Sequence, residues 1–256
     1  MKRFALIGKS IDKSLSPAIH RYCFEQLSLD AKYEIVNMES TDKISGVIDQ
    51  LKSGDLDGIN VTTPYKENIR PFLDNINPRA EEIGSINCIH VKDRQLIGNN
   101  TDWYGFLKAL EGTVDFSNVV ILGTGGVVPA ILYYFNSRRK TSVHIVGRDK
   151  EKMSLFESKG AFAYHMDSLN INVDDSLIIN AIPSSASINW QGLINRISGH
   201  ICGAIDLNYN FKVTEFLNSF NSNVKTKNGL DMLIHQALMS LDIWYEKDYF
   251  RCRLLQ

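Results

Sequence analysis

A lysine, an aspartate and a glycine-rich turn carry most of the chemistry that this 256-residue chain could do. Lys66 closes the run Asn60-Val61-Thr62-Thr63-Pro64-Tyr65-Lys66, where a short apolar strand gives way to hydroxyls, a proline and a cation. Proline cannot donate to a sheet, so the strand stops near Pro64. Lys66 then sits just past a strand end, where open α/β sheets place their ligands. Asp102 follows Asn100 and Thr101 and begins a helix. A fixed cation with hydroxyl donors beside it suits a small polar substrate. Lys66 can serve there as a general acid/base, or as a fixed charge that stabilises a developing alkoxide.

The turn Gly123-Thr124-Gly125-Gly126 lies between a continuous apolar strand, 119–122, and a helix that begins at Val127. Such a unit lays a pyrophosphate on a helix N-terminus, where N–H groups lack partners and the dipole favours anions. Val128 stands at the third glycine position of the strict fingerprint, so an ordinary strand–helix turn is the alternative. The next strand, 143–146, runs into Gly147-Arg148-Asp149-Lys150-Glu151-Lys152. Arg148 can stack on adenine and pair with a 2′-phosphate through its planar fork of donors, and Lys152 can add a second cation. Both favour NADP(H). Asp149 opposes it unless its carboxylate turns away.

Strands and helices alternate along the chain, the pattern of an α/β fold with mostly parallel sheets. The first part predicts strands over 4–8, 33–37 and 56–61, then a hairpin of 85–91 and 95–99 turning near Asp93. Helices are predicted over 17–28, 41–53 and 65–74, with Pro17 and its missing N–H suited to the first turn of a helix. The pattern then restarts, with strands over 119–123, 142–147, 176–181 and 202–208 and helices over 126–138, 149–159 and 213–220. Leu230, Leu233, Ile234, Ala237, Leu238 and Leu241 recur at helical spacing and predict a last helix over 230–245. The restart places a domain boundary near Asp102.

Composition narrows the partners. Hydrophobic residues make up 44% and charged residues 22%, an ordinary globular balance. Net charge is −1, so no basic field attracts nucleic acid or an anionic membrane. No stretch approaches the roughly 18 apolar residues of a membrane span. The apolar run after Met1-Lys2-Arg3 is too short for a signal peptide, which favours the cytoplasm. Cys23, Cys88, Cys202 and Cys252 share no metal-ligand spacing, and no histidine cluster is evident beside them. No metal is expected, and the thiols are expected reduced.

Six motifs in order resemble shikimate dehydrogenases over nearly the whole chain. They are Ser14-x-Ser16-Pro17-x-x-His20, Asn60-Val61-Thr62-x-Pro64-x-Lys66, Ile83-Gly84-x-x-Asn87, Gly98-x-Asn100-Thr101-Asp102-x-x-Gly105, Gly123-x-Gly125-Gly126, and Asn228-Gly229-x-x-Met232-Leu233-x-x-Gln236-Ala237. The resemblance implies reversible NADPH-dependent reduction of 3-dehydroshikimate to shikimate by a monomer or homodimer. It implies two domains: an open, mostly parallel α/β substrate domain (1–101 plus 230–256) and a doubly wound Rossmann-type domain (102–229). By the match, Lys66 and Asp102 form the catalytic pair. Ser14, Ser16, Thr62, Asn87, Tyr209 and Gln236 would hold the substrate. Gly123, Thr124, Gly125, Gly126, Arg148, Lys152 and Gly229 would hold the cofactor. The chain departs from the family pattern at Ser10, Lys13, Arg21, Gly147, Asp149 and Ile182. Two other readings stay open: a quinate/shikimate dehydrogenase able to use NAD, and a catalytically silent relative that binds a ligand.

Overall fold

The computed structural model describes residues 1–138 and 140–249. The chain forms two compact units, Met1–Gly105 with Leu233–Gln256, and Phe106–Met232. Within the first unit lie β1 (Lys2–Gly8), α1 (Ser16–Gln26), β2 (Ala31–Asn37), α2 (Ile44–Ser53), β3 (Gly58–Val61), β4 (Asn75–Ile76), α3 (Pro78–Ile83), β5 (Cys88–Lys92) and β6 (Gln95–Asn99). Its sheet has the order β2-β1-β3-β5-β6-β4. β5 runs antiparallel to β3 and β6, and the other pairings are parallel. The β5–β6 hairpin turns at Asp93 and Arg94, both at positive φ, the geometry that matches the twist of its strands.

The chain passes from one unit to the other within α4 (Asp102–Ala109) and returns within α8 (Leu230–Tyr245). The second unit adds β7 (Asn118–Leu122), α5 (Val128–Asn136), β8 (Ser142–Gly147), α6 (Lys150–Ser158), β9 (Phe162–His165), β10 (Ile171–Asn172), β11 (Ser176–Asn180), α7 (Trp190–Ile194), β12 (Ile197–Ser198), β13 (Ile201–Asp206) and β14 (Lys225–Asn228). Its main sheet is wholly parallel, in the order β14-β13-β11-β7-β8-β9. The order reverses at β7, so the crevice for a ligand opens past the ends of β7 and β11.

Burial explains the apolar runs. In β7, Val119 and Ile121 join one core while Val120 and Leu122 join the core on the other face. A strand covered on both sides has no polar face to alternate with. In the first unit, α2 covers one sheet face with Val47, Ile48 and Leu51. α1 and the C-terminal half of α8 cover the other, through Phe24, Leu238, Leu241 and Trp244. Trp244 stacks on Phe4 at 4.4 Å and donates from Nε1 to the Ile89 carbonyl at 3.0 Å. A Cβ on Gly58 would meet that indole at 2.5 Å, so the strand needs glycine there.

Two predicted helices do not form. The segment 65–74 folds as turns and a short 3-10 stretch, Arg70–Phe72. Pro71 removes a helical donor and its ring crowds the preceding turn. The segment 213–220 keeps only a 3-10 turn, Leu217–Ser219. Thr214 there turns its hydroxyl to the Asp206 carboxylate at 2.5 Å and also accepts from the Leu217 N–H, a local alternative to helix bonding. The polar edge strand β14 and the short α3 carry too little apolar periodicity to stand out in the sequence.

Candidate active site

The first unit gathers several of the singled-out side chains into one buried hydrogen-bond network. After β3 the chain turns tightly, with the Tyr65 N–H bonded to the Thr62 carbonyl at 3.0 Å. The Tyr65 hydroxyl is anchored on the Met38 carbonyl at 2.6 Å, and the Lys66 carbonyl accepts from the Ile86 N–H at 3.0 Å. These bonds pin the backbone on both sides of the lysine, so its side chain projects from a fixed base. Lys66 Nζ lies 2.5 Å from Asp102 Oδ2, and their side chains are only 11% and 7% exposed.

Asp102 opens α4, where the helix dipole favours a carboxylate. Its other oxygen accepts from Asn87 Nδ2 at 2.9 Å. Asn87 also donates to Thr101 Oγ1 at 3.0 Å and accepts from the Thr101 N–H at 2.7 Å. Both carboxylate oxygens are therefore held, one by a cation and one by an amide. Thr101 Oγ1 reaches Gln236 Oε1 at 3.4 Å, which ties α8 to the network. Buried charge persists only when paired and hydrogen-bonded, and this arrangement meets both conditions.

Three further residues complete the frame, none of them given a role from the sequence. Thr101 bridges Asn87 and Gln236. Asn60 donates to the Asn87 carbonyl at 3.1 Å and to Ser240 Oγ at 2.9 Å. Ser240 lies four residues past Gln236 on one face of α8, a spacing visible in the sequence. Ser14 and Ser16 pair with each other at 3.2 Å at the start of α1. Thr62 follows β3 and is half-buried, its N–H bonded to the Ile7 carbonyl at 2.9 Å. Among the described residues, no hydrogen bond joins Ser14, Ser16 or Thr62 to the Lys66 network.

The second unit holds the other candidates. Gly123 takes φ +113 directly after β7 and lies against Ala181 past the end of β11, at the point where the strand order reverses. No side chain caps the N-terminus of α5, which follows the turn. Pro129 falls in that first turn. Glycine backbone, uncapped helix start and switch point fit a dinucleotide pyrophosphate. Gly147 packs so closely on Thr124 that any Cβ there would collide with it, so exposed Arg148 leaves the sheet beside the glycine turn.

Asp149 is the N-cap of α6, its carboxylate accepting from the Lys152 N–H at 3.0 Å. That carboxylate is engaged by its own helix. Lys152 stands in the first turn of the same helix. Tyr209 is half-buried in the loop after β13, whose base is fixed by buried Asp206 and its bonds to Asn180 and Asn208. Gly229 is buried so close to the Leu207 carbonyl that no side chain could stand there.

Three side chains able to ligate a metal come together that the cysteine spacing did not announce. His200 and Cys202 do meet, and Asp175 joins them, their potential ligand atoms all within 4.8 Å of one another. His200 and Cys202 stand two residues apart in the chain, while Asp175 comes from a different strand end. Cys23 and Cys88 are buried free thiols, and burial pushes them up to about 11 and about 12. Cys252 lies outside the described residues.

A parallel nucleotide-type sheet and a buried lysine–aspartate pair in one chain define, as a class, an NAD(P)-dependent oxidoreductase. The comparisons narrow the class. Residues 6–89 match the model of the shikimate dehydrogenase substrate binding domain. A Clostridium perfringens shikimate dehydrogenase (NADP(+)) is 33% identical, the alignment covering 95% of this chain and 92% of that one. The crystal structure of shikimate dehydrogenase 1 from Peptoclostridium difficile is 34% identical with a TM-score of 0.84, covering 97% of this chain and 93% of that one. The Thermus thermophilus shikimate 5-dehydrogenase, solved with NADP(H) and shikimate, is 29% identical with a TM-score of 0.83, covering 96% and 94%. The chain belongs to the shikimate dehydrogenase family. No helix among the described residues is long and apolar enough to cross a membrane.

Proposed function

We propose that this chain interconverts shikimate and 3-dehydroshikimate with NADP(H), with Lys66 and Asp102 as the catalytic pair. The observation that carries the reading is the buried ion pair at 2.5 Å, with the second carboxylate oxygen held by Asn87. When bound, NADPH supplies the hydride that reduces the ring ketone. Lys66 Nζ supplies the proton that the ketone oxygen gains, and recovers it in the reverse direction. Asp102 keeps the ammonium aimed, and Asn87 keeps Asp102 aimed. A donor fixed before reaction need not reorganise while charge develops on the oxygen.

Recognition of a small ring bearing hydroxyls and a carboxylate takes several aimed hydrogen bonds, and a substrate lacking one leaves a buried group unpaired. Ser14, Ser16, Thr62, Asn87 and Gln236 supply those bonds. The first unit is thus the substrate domain. The second is the NADP domain, with Gly123, Thr124, Gly125, Gly126 and Gly229 shaping the backbone. Arg148 and Lys152 take the 2′-phosphate. The protein works in the cytoplasm as a monomer or homodimer.

The test is spectrophotometric turnover with shikimate and NADP⁺, repeated with NAD⁺ and with quinate. Turnover of shikimate with NADP⁺ at the highest kcat/KM is expected. Faster turnover of quinate, or of NAD⁺, would replace the reading with the broader dehydrogenase. Tight shikimate binding without any turnover would make the chain a silent relative.

A further inference from the structure

At the amino ends of β11 and β13, three side chains of different chemistry converge. Asp175 precedes β11, and His200 and Cys202 flank the start of β13. His200 Nδ1 lies 3.2 Å from Asp175 Oδ1, Cys202 Sγ lies 3.6 Å from His200 Nδ1, and Cys202 Sγ lies 4.0 Å from Asp175 Oδ1. The backbone is shaped to bring them there. Gly199 takes φ +100, and a Cβ on it would meet the Val173 carbonyl at 2.6 Å. Asp175 itself takes φ +47, uncommon for a residue with a side chain. Ser176 pairs with Ile201 while Leu177 pairs with Gly203, so Cys202 is the extra residue of a bulge, a device that re-aims a side chain.

These spacings match the edges of a metal tetrahedron. Zinc binds nitrogen and oxygen at about 2.0–2.2 Å and thiolate sulfur at about 2.3 Å. Tetrahedral angles then put nitrogen and oxygen about 3.3 Å apart, and sulfur about 3.6 Å from each. Two of the three observed edges agree, and the third closes with a shift of about 0.4 Å at an exposed aspartate. Imidazole, thiolate and carboxylate together suit zinc-class ions better than magnesium or calcium, which take oxygen ligands. Asp175 and His200 are exposed, so an ion can reach the site from solvent.

We propose that Asp175, His200 and Cys202 form a three-ligand site for a zinc-class divalent cation, with solvent water in the fourth position. Binding displaces the thiol proton of Cys202, which leaves for solvent, and the ion takes the thiolate, the Nδ1 lone pair and one carboxylate oxygen. The site clips the loop before β11 to the loop before β13. It lies at the opposite end of the sheet from the glycine turn, about 20 Å away along the strands, so its role is structural.

The experiment is a titration of chelator-treated, reduced protein with Co²⁺ as the spectroscopic stand-in for zinc. One equivalent is expected to give a thiolate-to-cobalt charge-transfer band in the near ultraviolet and strong tetrahedral visible bands, both bleached by added Zn²⁺. Cys202→Ser should abolish the charge-transfer band, and His200→Ala should weaken binding by more than about tenfold, the low end for disturbing a metal's supporting shell. Both variants should retain turnover of shikimate, which also reports that they fold. In the unsubstituted protein, Zn²⁺ should protect Cys202 from alkylation, read residue by residue by mass spectrometry. No cobalt-dependent spectrum, a band that survives Cys202→Ser, or undiminished labelling of Cys202 under Zn²⁺ would each overturn the proposal.

Discussion

The Lys66–Asp102 network and the glycine turn are made of different materials. The first is a web of side chains, each fixed by another: Lys66 by Asp102, Asp102 by Asn87, Asn87 by Thr101. The second is mostly backbone, with Gly123 at positive φ, a helix start without a side-chain cap, and one exposed cation beside it. A web of side chains places charge within tenths of an ångström, but losing one member leaves its neighbours unpaired in a buried setting. A backbone cradle survives most side-chain changes, and its selectivity rests on whichever charged residues stand at its rim.

Five substitutions or conditions test that contrast. Lys66→Ala should have the largest effect, lowering kcat by about 10²–10⁴-fold with a smaller change in KM, since it removes an interaction made at the reacting oxygen. Steady-state kinetics of shikimate oxidation would check it, and normal turnover would refute the assignment. Asn87→Ala should come next, because Asp102 Oδ1 and the Thr101 N–H both lose a partner. We expect unfolding free energy, measured in urea, to fall by about 1–3 kcal/mol, together with kcat. A stable variant with unchanged kcat would mean that the web is not a web.

At the second region the effect should be selective rather than global. Arg148→Ala should lower kcat/KM for NADP⁺ by about 10–100-fold while sparing NAD⁺, the scale of a charge-assisted pair worth about 1.5–3 kcal/mol. An unchanged ratio for the two cofactors would remove Arg148 from the site. Asp149→Ala should instead cost stability, about 0.5–2 kcal/mol for a lost N-cap, and leave the cofactor ratio alone. Together they separate charge at the rim from the scaffold beneath it.

A last test concerns the packing within the first unit. His20 is fully buried, stacked on Tyr33 at 4.1 Å, and neither ring nitrogen makes a hydrogen bond in this arrangement. Burial lowers its pKa to about 3, against a lesser opposing pull from the Asn60 side chain. The folded protein thus refuses a proton that the unfolded chain accepts below about pH 6.5. Its contribution to stability is present above that pH and is lost as pH falls toward 3, at a slope of at most about 1.4 kcal/mol per pH unit. Urea denaturation between pH 7 and pH 4 should show the decline, and His20→Phe should flatten it. An equal slope in both proteins would place the acid sensitivity elsewhere.

Much of this was written locally in the chain. The apolar run at Val119–Leu122 foretold a strand covered on both faces, because a sheet face that never meets water needs no polar residues. Gly123-Thr124-Gly125-Gly126 foretold the tight turn, because only glycine takes φ +113 readily. The order of the motifs foretold the family. What the chain order did not contain was distance. Lys66, Asn87 and Asp102 touch because three separate strand ends arrive at one place. Asp175, His200 and Cys202 met through a bulge and a glycine that no periodicity announces. Burial and backbone preference act residue by residue and so can be read in sequence. Hydrogen bonds between distant side chains depend on how whole elements pack, and that is settled only when the chain has folded.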